Sequence, residues 1–331
     1  MRRLLVLLCL PVVLLVAVGC WLSWALLRPG PPRETALDVA PGAPTREILN
    51  ALHELELMPS PLAGRLYLDL LRRGRNPRLG SYRIPARSRP LDALELLLEG
   101  RVEMVTVTLL EGLTADEVVA RMVEAGIGTP QAWRPLLHRL DLISDLAPNA
   151  TSLEGFLFPD TYRFAVGLPP EAAARHLVDR FREVWAAETA AAGGAWSSPL
   201  ETVILASLVE AETPLGEERA RIAGVFVNRL RRGMLLQCDP TVVFALKRRG
   251  EWQGRLLRVH WQVDDPYNTY RYPGLPPGPI NSPGRAALAA ALDPEPHEYL
   301  YFIARPGGGH AFSRTLSEHN RAAVRLQRSR R

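Results

Sequence analysis

Cysteine is scarce in this chain: Cys9, Cys20 and Cys238 are the only three among 331 residues, and the first two sit in an apolar N-terminal stretch. One thiol remains for the rest of the sequence, which excludes an internal disulfide and a paired-cysteine metal site there. Lysine is scarcer still, with Lys247 alone against a large excess of arginine. That imbalance reads as a coding bias, because the net charge is only +5. Basic residues are spread along the chain, with short runs at Arg72-Arg73 and Arg229 to Arg232. No basic patch is interleaved with aromatics, so no nucleic-acid partner is expected. His310 and His319 lack a familiar ligand spacing, and Gly307-Gly308-Gly309 lacks the Lys-Ser/Thr of a phosphate loop. Ser282 and Ser313 have no nucleophile-elbow surroundings. Neither a metal nor a cofactor is expected.

Apolar length is what the chain has in plenty. Leu4 to Leu27 carries no charge and follows Met1-Arg2-Arg3. A membrane span takes roughly 20 such residues, against about 7–15 for the core of a cleaved signal. The expectation is a retained single-pass anchor, with residues 1–3 a cytoplasmic tail and the bulk of the chain outside. Trp21 and Trp24 suit an interfacial belt near its far end. Arg2 and Arg3 on one side face Arg28 and Arg33 on the other, so the orientation rests on the shortness of the leader. A lipoprotein signal ending at Gly19-Cys20 is the competing reading, and Ala17 fits it poorly.

Residues 28–36 turn to Pro, Gly and charge and read as a linker. Residues 37–103 alternate short elements. A strand at Leu37 to Ala40 precedes the turn Pro41-Gly42-Ala43-Pro44, and a helix N-capped by Thr45 carries Ile48, Leu49, Leu52 and Leu55. A second helix around Leu62 to Leu71 follows, then a strand at Gly80 to Ile84 and a helix at Leu91 to Leu98 ended by Gly100. Residues 104–331 form the larger part. Val105 to Leu109 alternates as a strand, and Thr114 with Glu117 makes a capping box. Leu153 to Tyr162 reads as a buried strand or loop walling a pocket. Helices are expected at Glu171 to Ala192, after a Gly193-Gly194 break and a Ser197 or Ser198 cap, and again beyond Glu217. Dense proline and glycine between Asp264 and Gly284 suit rigid loops around a cleft. A strand at Tyr299 to Ile303 and a last helix from Thr315 close an α+β chain.

Three clusters carry the candidate chemistry. Glu210 ends the apolar run Val203 to Val209, and packing of that kind raises a carboxyl pKa until it can hold a proton near neutrality. That is the requirement for a general acid in glycosidic bond cleavage. The plainer alternative is a glutamate that merely caps or solvates a core helix. Ser207, one turn earlier, shares a face with Glu210 and could hydrogen-bond it, whereas Glu212 lies on a different face. The second cluster is Gln237-Cys238-Asp239 before Pro240. The third comprises Tyr267, Asn268 and Tyr270, with Asn281 in the Pro/Gly-rich segment that follows. Amides and phenols on rigid turns suit sugar hydroxyls and acetamido groups.

Leu153 to Tyr162, Val209-Glu210-Ala211-Glu212-Thr213, Leu236 to Val242, Tyr267 to Tyr270, Gly274 to Gly284 and Gly308-Gly309-His310 closely resemble the endolytic murein transglycosylases of the YceG-like (MltG) family. The resemblance covers about residues 37 to 326, with the motifs in family order. It implies a membrane anchor, a small LysM-like module at 37–103 and an α+β catalytic domain in which a central helix carries the catalytic glutamate, Glu210. It also puts the Gln237 and Tyr267-Asn268 regions where related enzymes hold substrate; from the clusters themselves, Ser207, Asp239, Tyr270 and Asn281 are expected to join them. Ala211 departs from the family's usual Lys and Cys238 from its usual Thr, which removes a cation beside Glu210. The implied lyase cleaves the β-1,4 bond between N-acetylmuramic acid and N-acetylglucosamine. Glu210 acts first as acid and then as base toward the C6 hydroxyl, leaving a 1,6-anhydro end. Peptidoglycan strands and the membrane are the implied partners, with wall-synthesis enzymes possible company. Two rival readings remain: a noncatalytic wall-binding scaffold, and a hydrolase using a second carboxylate such as Asp239 to activate water.

Overall fold

The computed structural model describes residues 2–40, 42–71, 76–78, 80–191 and 198–328, with side chains from 11 to 326 within those ranges. Arg72-Arg73, Pro41, the Gly193-Gly194 break and the alternative cap Ser197 lie outside the described residues. The chain forms two compact units, Met1–Val105 with Arg163–Leu168, and Thr106–Tyr162 with Pro169–Arg331.

In the first unit, α1 (Arg2–Leu27) leads to β1 (Thr35–Val39), whose strict alternation buries Thr35, Leu37 and Val39 and exposes Ala36 and Asp38. β1 pairs antiparallel with β2 (Gly80–Ile84), setting Thr35 against Ile84 and Leu37 against Tyr82. Between them run α2 (Thr45–Glu54) and α3 (Pro61–Leu66), the latter continued by one π-helical turn over Tyr67–Leu71. The order is thus strand, helix, helix, strand, and α4 (Pro90–Glu99) follows. Ile48, Leu49 and Leu52 of α2 cluster with Leu37 and Tyr82 of the β1–β2 pair and with Leu94 and Leu97 of α4. α2 and α3 come so close at Gly64 that a Cβ there would lie 2.7 Å from Leu49 Cδ2.

Two expectations for this unit change. The helix cap is Pro44, not Thr45, whose hydroxyl instead bonds Asn76 Oδ1 at 3.2 Å. The strand also starts two residues earlier than the apolar pattern suggests, because Thr35 is buried opposite Ile84. The end of α1 belongs to this core: Ala25 and Leu26 are buried and Leu22 packs against the cluster. The expected anchor falls partly on residues 4–10, whose side chains lie outside those described. Among the described residues, no helix is long and apolar enough to cross a membrane.

β3 (Met104–Thr108) and β4 (Thr161–Ala165) form a second two-stranded pair, and the boundary of the units falls within both. The second unit is mainly helical. α5 (Ala115–Glu124) starts at the expected capping box, with Thr114 Oγ1 accepting from Glu117 N and Glu117 Oε2 from Thr114 N. α6 (Pro130–Leu136) buries Trp133, and α7 (Pro170–Ala191) contributes Leu177, Val178 and Phe181 to the core. Leu153 to Phe158 is a buried run of turns, not a strand, and β4 begins only at Thr161. α8 (Pro199–Glu212) is buried at every residue from Thr202 to Val209, as a helix apolar on all sides must be. It is enclosed by α9 (Gly216–Arg231), α10 (Asp239–Arg248) and the alanine-rich α11 (Arg285–Leu292). A hairpin of β5 (Tyr301–Ala304) and β6 (His310–Ser313) precedes α12 (Leu316–Arg328). The expected α+β class holds: among the described residues all the sheets are two-stranded, and helices make the bulk.

If Leu26 is part of the first core, Leu26→Ala should cost the first unit about 2–4 kcal/mol. Leu27→Ala, at a side chain 48% exposed, should cost under about 0.5 kcal/mol. Hydrogen exchange of the β1–β2 amides in the full chain checks this, and equal effects would remove the end of α1 from the core.

Candidate active site

Glu210 lies in the last turn of α8, where the chain leaves the helix in an extended conformation at Thr213. Its side chain is 7% exposed. Oε1 accepts from Arg219 Nη2 at 2.9 Å, and Oε2 accepts from the backbone N–H of Gly284 at 3.0 Å. Burial lifts the carboxyl above the ordinary range. The Gly284 N–H and the Arg219 guanidinium pull against that lift, and Glu111 adds to it. The negative end of α8 acts in the same sense as burial. The result is a carboxyl able both to hold and to release a proton, with a cation beside it that does not come from position 211.

Arg219 was not legible as a site residue from its neighbours alone. It stands in the first turns of α9 on the face of Ile222, Ala223 and Phe226, where a buried cation calls for a partner. Its Nη2 also lies 3.7 Å from Glu111 Oε2, and its Nε is buried without a partner. Glu111 belongs to the segment before α5. Gly112 N donates to Ser282 O at 2.9 Å and Ser282 N to Leu113 O at 2.8 Å, so 111–114 and 280–284 run together as a short ladder.

That ladder settles where two expected substrate residues sit. Ser207 does not bond Glu210. Its Oγ donates to Ile204 O at 2.7 Å and accepts from Ile280 N at 3.1 Å. Asn281 Nδ2 donates to Ser207 O at 2.9 Å, and its Oδ1 is buried without a partner. Both residues fasten the Pro/Gly-rich loop onto α8.

The remaining expected residues group around α10 and the loop 261–272. Gln237 adopts a positive φ of 49° and donates its N–H to Thr269 O at 3.1 Å. Asp239 Oδ1 accepts from Tyr270 OH at 2.7 Å and from Trp261 Nε1 at 3.0 Å, and the Trp261 and Tyr270 rings stack 5.2 Å apart. Asn268 is fully buried; Nδ2 donates to Trp261 O and Val263 O while Oδ1 accepts from Tyr270 N. Tyr267 is buried against Phe244 and under Arg248. Asn268 and Tyr267 thus hold the loop's shape, and Asp239 with Tyr270 faces open space.

Two cavities flank the end of α8. One, of about 340 Å³, is lined by Gly112, Thr114, Ala211, Asp239, Lys247 and Asn281 among others. The second, of about 240 Å³, has Glu212, Gln237, Asp239, Tyr270, Arg229 and His310 in its wall. Asp239 lines both. Burial raises Glu212, while the Cys238 thiol donates to it and works against the rise. The thiol itself is pushed far up by burial and stays protonated. Cys238 is therefore a hydrogen-bond donor here, as a hydroxyl at that position would be. A further buried acid, Glu154, accepts the Ala115 N–H at the start of α5 with both oxygens at 3.0 Å and is pushed up to about 8 by burial.

A buried central helix ending in a protonatable carboxylate, a flanking cleft and a mixed α+β frame define the class of fold. The sequence matches the YceG-like family over residues 37–325, and the chain belongs to that family. It is 38% identical over 177 residues to the endolytic murein transglycosylase of Bacillus subtilis strain 168, covering 51% of this chain and 47% of that one. The endolytic murein transglycosylase of Streptococcus pneumoniae D39 is 29% identical over 215 residues, 64% of this chain and 39% of that one. The chain thus spans less than half the length of these curated relatives in the matched region. A crystal structure of a putative yceG-like protein from Listeria monocytogenes superimposes with a TM-score of 0.55 and 26% identity, over 88% of this chain and 99% of that one.

Glu154 generates a stability prediction. Its folded value of about 8 stands above the ordinary 4.5, so the folded unit keeps a proton that the unfolded chain releases. This contribution is fully present below about pH 4.5 and lost as pH rises through about 8, at roughly 1.4 kcal/mol per pKa unit. Glu154→Gln should flatten part of that slope, so that thermal melts of variant and wild type diverge between pH 5 and pH 9 in the variant's favour. An unchanged slope would refute the assignment.

Proposed function

We propose that this chain is a membrane-anchored endolytic murein transglycosylase that cleaves the N-acetylmuramic acid–N-acetylglucosamine β-1,4 bond within glycan strands and terminates their growth. The observation that carries the reading is the Glu210 carboxyl: buried, raised, and held between Arg219 and the Gly284 N–H. Family membership and the names of the curated relatives support the substrate class.

In this mechanism Glu210 gives its proton to the glycosidic oxygen as the bond to the anomeric carbon breaks. The resulting carboxylate, paired with Arg219, then takes the proton of the muramic acid C6 hydroxyl, whose oxygen closes on the anomeric carbon. That step reprotonates Glu210 and leaves a 1,6-anhydro end. Since the nucleophile is internal, no second carboxylate has to activate water, in contrast to ordinary glycosidases. The hydrogen bonds that Asp239 Oδ1 accepts from Trp261 and Tyr270 favour an orienting role for Asp239 over that of a base. Gln237 and Tyr270 would meet the glycan in the second cavity.

The anchor is assigned to α1, the catalytic unit to the outer side of the cytoplasmic membrane, and wall-synthesis enzymes to the company it keeps. The strand-helix-helix-strand order of the first unit supports a LysM-like, wall-binding module.

The test is digestion of purified peptidoglycan by the full chain in detergent, with mass spectrometry of the products. Anhydro-muramic ends are expected, and Glu210→Gln should still fold cooperatively while losing about 10²–10⁴-fold in turnover. Reducing ends would turn the reading toward a hydrolase. Wall binding without cleavage would turn it toward a scaffold.

A further inference from the structure

The segment Glu111 to Thr114 has so far served only as scaffold, yet its first residue points its carboxylate into the centre of the site. Arg219 Nη2 stands 2.9 Å from Glu210 Oε1 and 3.7 Å from Glu111 Oε2. Both acids also meet at Gly284. Its N–H donates to Glu210, and a Cβ at that position would overlap the Glu111 carboxylate. Glycine at 284 is therefore what admits Glu111.

We propose that Glu111 is a positioning residue of the active site, which shares the Arg219 counter-ion with Glu210 and so sets how readily Glu210 holds its proton. The proposal rests on reading Glu210 as the acid and base of the reaction.

Glu210 is buried, at 7% side-chain exposure, and Glu111 is half exposed, at 48%. Burial therefore works against the charged form of Glu210. Arg219 is itself buried, and among the described residues its Nε has no partner, so the guanidinium is held there at the end that faces the two acids. The charged or polar groups facing Glu210 come from three elements: Arg219 of α9, the N–H of Gly284 at the start of α11, and Glu111 of the loop after β3. Glu212, two residues on, faces the second cavity.

A residue that must first give a proton and then take one needs an environment that favours neither form outright. Arg219 alone would hold Glu210 as the carboxylate. Glu111 offsets that cation and keeps the acid form within reach. When Glu210 has released its proton, Arg219 has two carboxylates to bridge and the closer one is Glu210. Glu111 neither makes nor breaks a bond.

The test reads the Glu210 proton directly, in the full chain. Thermal melts between pH 4 and pH 9 of wild type and Glu210→Gln differ by the titration of Glu210. The same difference is then taken in the Glu111→Gln background. Loss of the Glu111 charge should move that titration down by about one pH unit, and Glu111→Asp should restore most of it. A titration that stays in place overturns the proposal. On peptidoglycan, the alkaline limb of the Glu111→Gln activity profile should move down with it. A uniform fall in activity with no movement of the limb would mark Glu111 as structural only and also overturn it. The two readings fail separately. An active Glu210→Gln sinks the acid–base assignment, whereas an inactive Glu210→Gln with an unmoved titration sinks the role of Glu111 alone.

Discussion

A buried carboxylate against a buried guanidinium is the constraint around which the second unit is arranged. Removing two charges from water is expensive, and their attraction compensates only where the geometry is good and the remaining lone pairs find donors. Glu210 and Arg219 satisfy that condition with side chains 7% and 9% exposed, a 2.9 Å contact and the Gly284 N–H on the second oxygen. Three helix ends must therefore arrive together: the last turn of α8, the early turns of α9, and the cap of α11. The short connection from Thr213 to Leu215 makes the first two neighbours, with Thr213 Oγ1 accepting from Leu215 N. The third is brought in by the Pro/Gly-rich loop.

That loop is fixed on both sides. Toward α8 it is held by Ser207 and Asn281, and toward 111–114 by the two backbone bonds of Ser282. The segment 111–114 is in turn tied at its far end, where Glu154 and Glu117 accept the N–H groups of Ala115 and Thr114 at the mouth of α5. A chain of hydrogen bonds thus runs from the motif around Glu154, through the start of α5, to the carboxylates at Arg219. Polar residues that sequence reasoning groups as substrate contacts, Ser207 and Asn281 among them, are links in this chain. Ser207 Oγ and Asn281 Nδ2 are met internally, as buried polar groups in proteins generally are.

Much of this was legible in the sequence where the signal is local. The capping box at Thr114 and Glu117, the glycine stop at Gly100, the strand Gly80–Ile84 and the largely apolar run before Glu210 each depend on neighbours a few residues apart, and each is found. The pattern failed where tertiary partners decide. Thr45 has a cap's chemistry but gives its hydroxyl to Asn76. His310 to Ser313 is a strand only because Tyr301 to Ala304 lies beside it. Arg219 is nine residues beyond Glu210, and Glu111 is ninety-nine before it in the sequence. Only the helix periodicity of α9, which turns Arg219 inward with Ile222 and Phe226, hinted at one of them. Ala211 looked like the loss of a cation; the cation is supplied from the next helix.

Burial alone does not single out a catalytic acid in this unit. Glu154, Glu210 and Glu212 are all raised by desolvation. What separates them is what faces each carboxyl. At Glu154 burial and two like charges, Asp116 and Glu117, favour the neutral acid over the pull of the Ala115 N–H, which suits a fixed link. Glu212 meets a thiol that keeps its own proton. Glu210 alone has a guanidinium in direct contact and a half-exposed carboxylate competing for it. Proton exchange requires both forms to be accessible in one place, and opposing charges at adjustable distance supply that where simple burial cannot. Glu210 is therefore set apart less by the apolar helix that delivers it than by the two residues, far apart in sequence, that meet it at the end of that helix.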